Sequence, residues 1–565
     1  MKQYINIILI AALVYGLISC EDFLTEKEMP RVTIDFYGTQ QGADAAAIAA
    51  YSYMRYGLGG ERSIYFTELG TDLFTHGEDG GQSAGAFNLY DNNMNPSYFT
   101  LYEYWENLYK GIATANLASQ ALREGSLPEK DKNEAIAEML FVRAYFYFDL
   151  VQQFGRIPLV IEASYEVRTD FSRASVAEVY NQIIEDLTFA SDNLPEIPKA
   201  VGRATRYAAS HLLAKVYLTR GSAVTDERGQ QPDDMENALL YARRVIDSGR
   251  HTLMSNFSDL WKMANEMNQE VIFAVQFTNE LVYNESGNTL HLYFGSWYED
   301  QVGMVRDIEN GRPYRRFNAT NKVMLNLFDR KNDSRYYKSF KWAYYANRQN
   351  DKLELGDTAI YYSLNPPVQE YRYKYFTWDR ENRENNRRYF PPLVKHFDNT
   401  RLTVAQEASS RDWVRIRLAE TYLIAAEAAG RKGDLATAVS YINVVRQRAA
   451  WQDGETKMPQ YWREEGGIPG DTNSTYDLIK VSEDDLRINF VDFILDERAR
   501  ELLGEVCRWE DLVRCEKLLE YVKKYNPDAA VNIQSYHKLR PIPQNHIDRL
   551  NPQGLDSEEQ NEGYY

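Results

Sequence analysis

Glu497-Arg-Ala-Arg-Glu501 sets two carboxyls one helical turn apart, the raw material of acid and base chemistry. Glycoside hydrolysis would need such a pair about 5 Å, or about 6.5 to 9.5 Å, apart around a sugar. Arg498 and Arg500 interleave with these acids, so the spacing predicts a structural network of ion pairs, and Arg417, Glu420 and Glu427 read the same way. The histidines at 76, 211, 251, 291, 396, 537 and 546 are scattered, without the spacing of a metal site. Tyr56-Gly-Leu-Gly-Gly60 lacks the Lys-Ser/Thr of a phosphate loop and reads as a turn, and no Gly-x-Ser-x-Gly elbow offers a nucleophile. Cys507 and Cys515 fall in one predicted helix, about 12 Å apart and too far to bridge, so they read as buried free thiols. The chain carries no catalytic signature, no metal set and no cofactor motif. Binding is the expected activity.

The chemistry of binding lies in the rings: 42 Tyr, 24 Phe and 9 Trp make 13% of the chain aromatic. A pyranose packs its apolar C–H face on Trp or Tyr while Asp, Asn and Arg bond its hydroxyls. One ring on one sugar contributes about 1 to 2 kcal/mol, so two or three platforms would give binding of roughly millimolar to micromolar strength. The best platforms by type and clustering are Tyr293, Trp297 and Tyr298 in one segment, and Trp342, Tyr344 and Tyr345 in another. Trp261 and Trp509 fall in helical stripes or motifs and are expected in the core. Arg380 to Arg388, broken by acids and Asn, is expected to be a solvated loop.

Those rings need a frame, and 565 residues are ample for one. Lys+Arg is 64 against Asp+Glu at 82, a net charge of -18 that argues against nucleic acid as a partner. The start of the chain reads as a signal peptide over 1–19: Lys2, then an apolar run too short to span a bilayer. It ends in Leu17-Ile-Ser-Cys20, which resembles a bacterial lipobox, making Cys20 the expected point of lipid attachment. Acyl chains contribute about 0.8 kcal/mol per buried methylene, enough for stable membrane anchoring when two or three are present.

Helical periodicity organises the rest. Asn133 to Phe154 carries apolar residues on more than one face, as a helix packed on two sides requires. Thr205 to Gly221 with Met235 to Gly249 forms a second hairpin, and Trp413 to Lys432 with Leu435 to Ala450 a third, broken and capped at Gly433-Asp434. Ala425, Ala426, Gly430, Gly433 and Ala438 stand where tetratricopeptide-like repeats use small residues, and Leu486 to Tyr525 supplies more helix. Between 281 and 400 the stripes fade and 24 of 120 residues are aromatic. The expected division is a lipidated tether over 20–37, helical repeats over 38–280 and 401–525, an aromatic, loop-rich ligand face over 281–400, and an extended tail over 526–565.

Several stretches carry a wider resemblance. They are Trp105-Glu-Asn-Leu-Tyr109; Arg143-Ala-Tyr-Phe-Tyr-Phe-Asp-Leu150 running into Phe154-Gly-Arg-Ile-Pro-Leu159; and Arg417-Leu-Ala-Glu-Thr-Tyr-Leu-Ile-Ala-Ala-Glu427. Asp496-Glu-Arg-Ala-Arg-Glu-Leu502, Arg508-Trp-Glu-Asp-Leu-Val-Arg514 and a tail with Pro541-Ile-Pro543, Asn551-Pro552, Gln560-Asn561 and Gly563-Tyr564 complete the set. In this order they resemble the SusD/RagB-like surface lipoproteins of Bacteroidetes over nearly the whole mature chain. The resemblance implies an all-α dominated protein of about four tetratricopeptide-like pairs, tethered to the outer membrane and facing the cell exterior. It implies a lid on a SusC-like TonB-dependent transporter that binds nutrient polymers, mostly glycans and in some members peptides, without catalysis. It also places part of the ligand face in a loop before the Trp105 helix, here Asp72 to Asn93, with Asp72, His76, Asp79, Asn88 and Tyr90. The first repeat, Trp105 to Phe154, is the expected transporter contact. A non-catalytic scaffold role is the remaining alternative.

Overall fold

Small and apolar side chains at helical spacing build eight helices that stack in chain order. They are α1 (Gln40–Leu58), α2 (Phe99–Glu124), α3 (Glu129–Phe154), α4 (Val176–Asn193), α5 (Arg206–Ser222), α6 (Asp234–Ile246), α7 (Leu418–Arg431) and α8 (Leu435–Ala449). Each packs on the next, giving four pairs in the manner of stacked helical hairpins. The computed structural model describes residues 36, 38–80, 85–164, 168–284, 286–465, 473–550 and 559–564. Cys20 and the 1–19 segment lie outside them.

Helix α3 shows why the stack holds. Ala137, Met139, Phe141, Val142, Ala144, Phe146 and Tyr147 point around its whole circumference and all are sealed from solvent. Gly111 of α2 lets it approach: a Cβ there would meet the Phe146 ring at 2.2 Å. On its other side Arg143 reaches α4 and donates twice to Asp186, at 2.7 and 2.6 Å. At the third hairpin Gly433 turns with φ +87 and Asp434 caps α8 by accepting from the Thr437 amide at 3.0 Å, as the sequence predicts.

Two expectations change in detail. Trp413 to Arg417 is not the start of α7 but a strand, because Val414 and Ile416 alternate with Arg415 and Arg417 at a period of two. The stretch from Leu486 breaks into α9 (Phe490–Glu501), α10 (Arg508–Arg514) and α11 (Leu518–Tyr525), with Cys507 and Cys515 as buried free thiols at the two ends of α10.

The interleaved acids and arginines of α9 form the ion-pair network that their spacing implies. Arg335 bridges Glu497 at 3.1 Å and Glu501 at 3.0 Å, and Arg417 bridges Glu501 at 2.7 Å and Glu270 at 2.9 Å. Arg498 joins Glu420 at 2.9 Å and Asp511 at 2.7 Å, while Arg514 holds Glu427 at 2.6 Å. All of these groups are buried, so each acid depends on its partner and none is free to react.

Short ladders arrange the 281–400 segment. The strands that matter are β1 (Phe74–His76), β2 (Val271–Val275), β3 (Phe317–Ala319), β4 (Ala343–Tyr345), β5 (Thr358–Ser363), β6 (Lys374–Thr377) and β7 (Trp413–Arg417). β2 pairs antiparallel with β7 and so clasps the two ends of the segment onto the helical stack. β4, β5 and β6 make one sheet in that order, and β1 pairs antiparallel with β3. That last ladder brings the loop before α2 against the aromatic segment.

Candidate ligand-binding face

Burial divides the predicted residues. Tyr298 and Tyr344 stack on each other with centroids 5.1 Å apart, both sealed from solvent, and Tyr298 donates to the Gly311 carbonyl at 2.8 Å. Trp342 is wedged among Tyr336, Tyr337 and Phe340, and Tyr293 is buried with its hydroxyl donating to Thr289 at 3.0 Å. These four rings pack the core and present no face to a ligand. The period of two in β4 explains the error: it turns Tyr344 inward and Tyr345 outward, where Tyr345 is 45% exposed.

The loop before α2 divides in the same way. Asp72 is sealed, accepting from Arg508 at 2.8 and 2.7 Å and from the Lys322 ammonium at 2.8 Å. Asn88 is fully buried, and Tyr90 is buried against His537 with centroids 5.0 Å apart. Asp72 and Tyr90 hold the loop to the core, and all three side chains are closed to solvent. His76 is half-buried: Arg387 donates to its Nε2 at 2.8 Å, which leaves Nδ1 to donate to the Gly77 carbonyl at 3.0 Å. Burial and the Arg387 charge depress its pKa, keeping it neutral. Asp79 is exposed.

The structure brings His76, Asp79 and Trp297 together. Past β1, the Gly77, Glu78 and Asp79 amides donate to the carbonyls of Arg316, Arg387 and Arg315 at 2.8, 3.0 and 3.2 Å. Only glycine fits at 77, since a Cβ would meet the Arg315 carbonyl at 2.2 Å. Arg315 itself adopts a left-handed φ of 53. That turn aims its guanidinium over the half-buried Trp297 ring, 4.1 Å from the centroid, and into ion pairs with Glu78 at 2.7 Å and Asp79 at 2.8 Å. Arg388 completes the pattern, 5.5 Å from the same ring, with Glu78 at 3.6 Å and Asp300 at 3.5 Å.

Tyr389 and Phe376 border this cluster, while Tyr371, Tyr373 and Tyr375 form a separate row on the other side of β6. Tyr389 donates to Asp300 and stacks on Phe376 at 4.4 Å. Burial first, then the hydrogen bond to Asp300 and the Asp300 charge, push the Tyr389 phenol up to about 12. Tyr371 stacks on Tyr373 at 4.8 Å and on Tyr375 at 5.3 Å, and all three are half-exposed at the edge strand β6 or just before it. Half-exposed rings beside paired charges are what a pyranose needs on its apolar face and its hydroxyl rim. Among the described residues no cluster of three or more His, Cys, Asp or Glu could hold a metal ion.

Residues 247–564 match the model of the SusD family. The chain belongs to the SusD family. Residues 32–218 match a further SusD-like model, described as starch-binding associating with outer membrane. SusD-like protein P25 of Formosa agariphila is 26% identical over 597 residues, covering 99% of both chains. Among solved structures, a laminarin-binding SusD-like protein superimposes with a TM-score of 0.65 at 24% identity, over 93% of this chain and 100% of that one. A SusD homolog from Bacteroides thetaiotaomicron gives 0.68 at 21% identity, over 92% of this chain and 96% of that one. The helix-rich architecture with its tetratricopeptide-like stack is thus the SusD fold.

Proposed function

We propose that this SusD-family protein is a non-catalytic surface lipoprotein that binds glycan chains on the Trp297 face and delivers them to a TonB-dependent outer-membrane transporter. The observation that carries the reading is the meeting of residues 76–79 with Trp297, Arg315 and Arg388 through the β1–β3 ladder. It sets rings for a sugar face beside charges for its hydroxyls. The starch-binding description of the family model and the laminarin-binding neighbour support a glycan over a peptide. Cys20 carries the lipid that holds the protein on the cell exterior, in keeping with the absence of any membrane-crossing helix among the described residues. The exposed surface of the first repeat, which α2 supplies, is the transporter contact.

Calorimetry against soluble polysaccharides and peptides tests the binding half. Glycan binding that weakens in Trp297→Ala is the expected result; binding of peptides alone turns the reading to a peptide carrier, and binding of neither to a scaffold. Co-purification of a large β-barrel with the tethered protein tests delivery.

A further inference from the structure

A cavity of about 880 Å³ opens between residues 256–264, 337–341, 394–411 and 451–461, and no residue of the Trp297 face lines it. It is large enough for one or two sugar residues. Its wall is aromatic. Tyr337 and Tyr461 stack at 4.0 Å, Trp451 lies 6.4 Å from Tyr461, and Trp261, expected in the core, instead stands half-buried on the cavity with its Nε1 bonded to no group among the described residues.

The charges on that wall do not cancel. Lys262 is paired with Asp259 and Lys338 with Glu455, both at 2.5 Å. Lys341 and Arg411 have no carboxylate at ion-pair distance among the described residues. Lys341 donates to Asn310 Oδ1 at 2.6 Å and lies 4.6 Å from the Tyr344 ring centre. Arg411 is only 7% exposed, and gives Nε and Nη2 to the carbonyls of Phe397, at 3.0 and 2.6 Å, and Trp261, at 2.8 Å. Its Nη1 donates to no described residue. Glu309, the other acid on the wall, is exposed at the rim and accepts from Asn399 at 3.1 Å.

Burial pushes both Lys341 and Arg411 below their ordinary pKa values. The nearby charges of Glu309 and Asp307 on Lys341, and of Glu266, Asp398 and Asp412 on Arg411, offset that penalty only in part, none of them at ion-pair distance. An entering anion removes that penalty. We propose that this cavity is a second ligand site that takes the acid group of an anionic saccharide, a uronate carboxylate or a sugar sulfate. Lys341 and Arg411 are its counter-ions, and the half-buried Trp261 and Tyr461 rings on the wall receive the sugar ring. The saccharide part rests on the glycan binding proposed above, while the anion part rests on the cavity alone. The net charge of -18 opposes capture of anions at long range, so the affinity is local to these two cations.

Calorimetry on the full chain compares a galacturonate trimer, a sulfated galactose oligomer, a neutral glucose trimer, acetate and inorganic sulfate. At least one acidic oligomer is expected to bind about tenfold or more tighter than the neutral one, with affinity falling as salt rises. Lys341→Gln and Arg411→Gln are each expected to erase that preference. Trp297→Ala, which disables the other face, is expected to leave acidic binding intact, so the two sites fail separately. Equal affinity for acidic and neutral oligomers overturns the proposal, as does an unchanged preference in Lys341→Gln melting like the parent chain. Acetate or sulfate binding as tightly as the oligomers overturns the saccharide assignment.

Discussion

The Arg315 guanidinium stands 4.1 Å from the centre of the Trp297 ring while its own nitrogens lie 2.7 Å from Glu78 and 2.8 Å from Asp79. The ring is fixed before any ligand arrives, and the polar groups around it are already oriented.

Replacing that ring isolates its contribution. Trp297→Ala is expected to weaken glycan binding by about 5- to 30-fold, the equivalent of about 1 to 2 kcal/mol, with little change in melting temperature because the ring is half-buried. Calorimetry with the best polysaccharide checks it, and unchanged affinity would remove Trp297 from the face.

Trp342 should behave in the opposite way. It lies 3% exposed among three aromatic neighbours, so Trp342→Ala is expected to cost about 3 to 5 kcal/mol of stability and leave the affinity of folded molecules as it was. Denaturant titration with binding measured in parallel separates the two effects.

Asp72 gives a sharper contrast. Between Arg508 and Lys322 it balances two buried cations, and Asp72→Asn should destabilise the protein by about 3 to 5 kcal/mol. A variant that melts normally but loses ligand would return Asp72 to the binding face.

The contribution of Glu68 to stability should fall as pH rises from about 5 to about 8. Burial pushes the Glu68 carboxyl from 4.5 up to about 8. A folded pKa above the unfolded one adds stability below about pH 4.5 that is lost as pH climbs through 8. Glu510 and Glu266, raised by burial to about 7, act in the same direction. Glu501 acts in the other: burial alone would raise it, but Arg448, Arg417 and Arg335 hold it at about 2, so its contribution is lost as pH falls from about 4.5 through 2. Glu68→Gln is expected to flatten the decline by up to about 1.4 kcal/mol per pH unit, read from melting curves across that range.

Cys20→Ala tests the anchor. The protein should move from the membrane fraction to the soluble one, and retention on membranes would refute lipid attachment at that residue.

Local signals made the helical frame readable. Apolar residues all around Asn133 to Phe154 required packing on two sides, and Gly433-Asp434 marked a turn and a cap. Helix α4 also announces itself, through the capping box of Ser175 and Glu178. The ligand face was harder, because exposure of a ring is decided by partners far away in sequence. Nothing adjacent to Tyr298 or Tyr344 says that they stack on each other, and nothing near Asp72 points to Arg508. A period of two was nevertheless available: Tyr371-Arg-Tyr-Lys-Tyr375 alternates rings and cations, the pattern of an edge strand with one aromatic side. Tyr389 and Phe376 had no such signal.

Asp79 and Arg315 meet across 236 residues of chain. Closing a contact of that separation carries a loop-entropy cost. Cargo that grips both halves therefore acts as a clamp on the completed molecule, adding about 2.7 kcal/mol of stability at a hundredfold excess over its dissociation constant. A rise in melting temperature across a sugar library would thus identify the natural ligand without any label, transporter or assay of uptake.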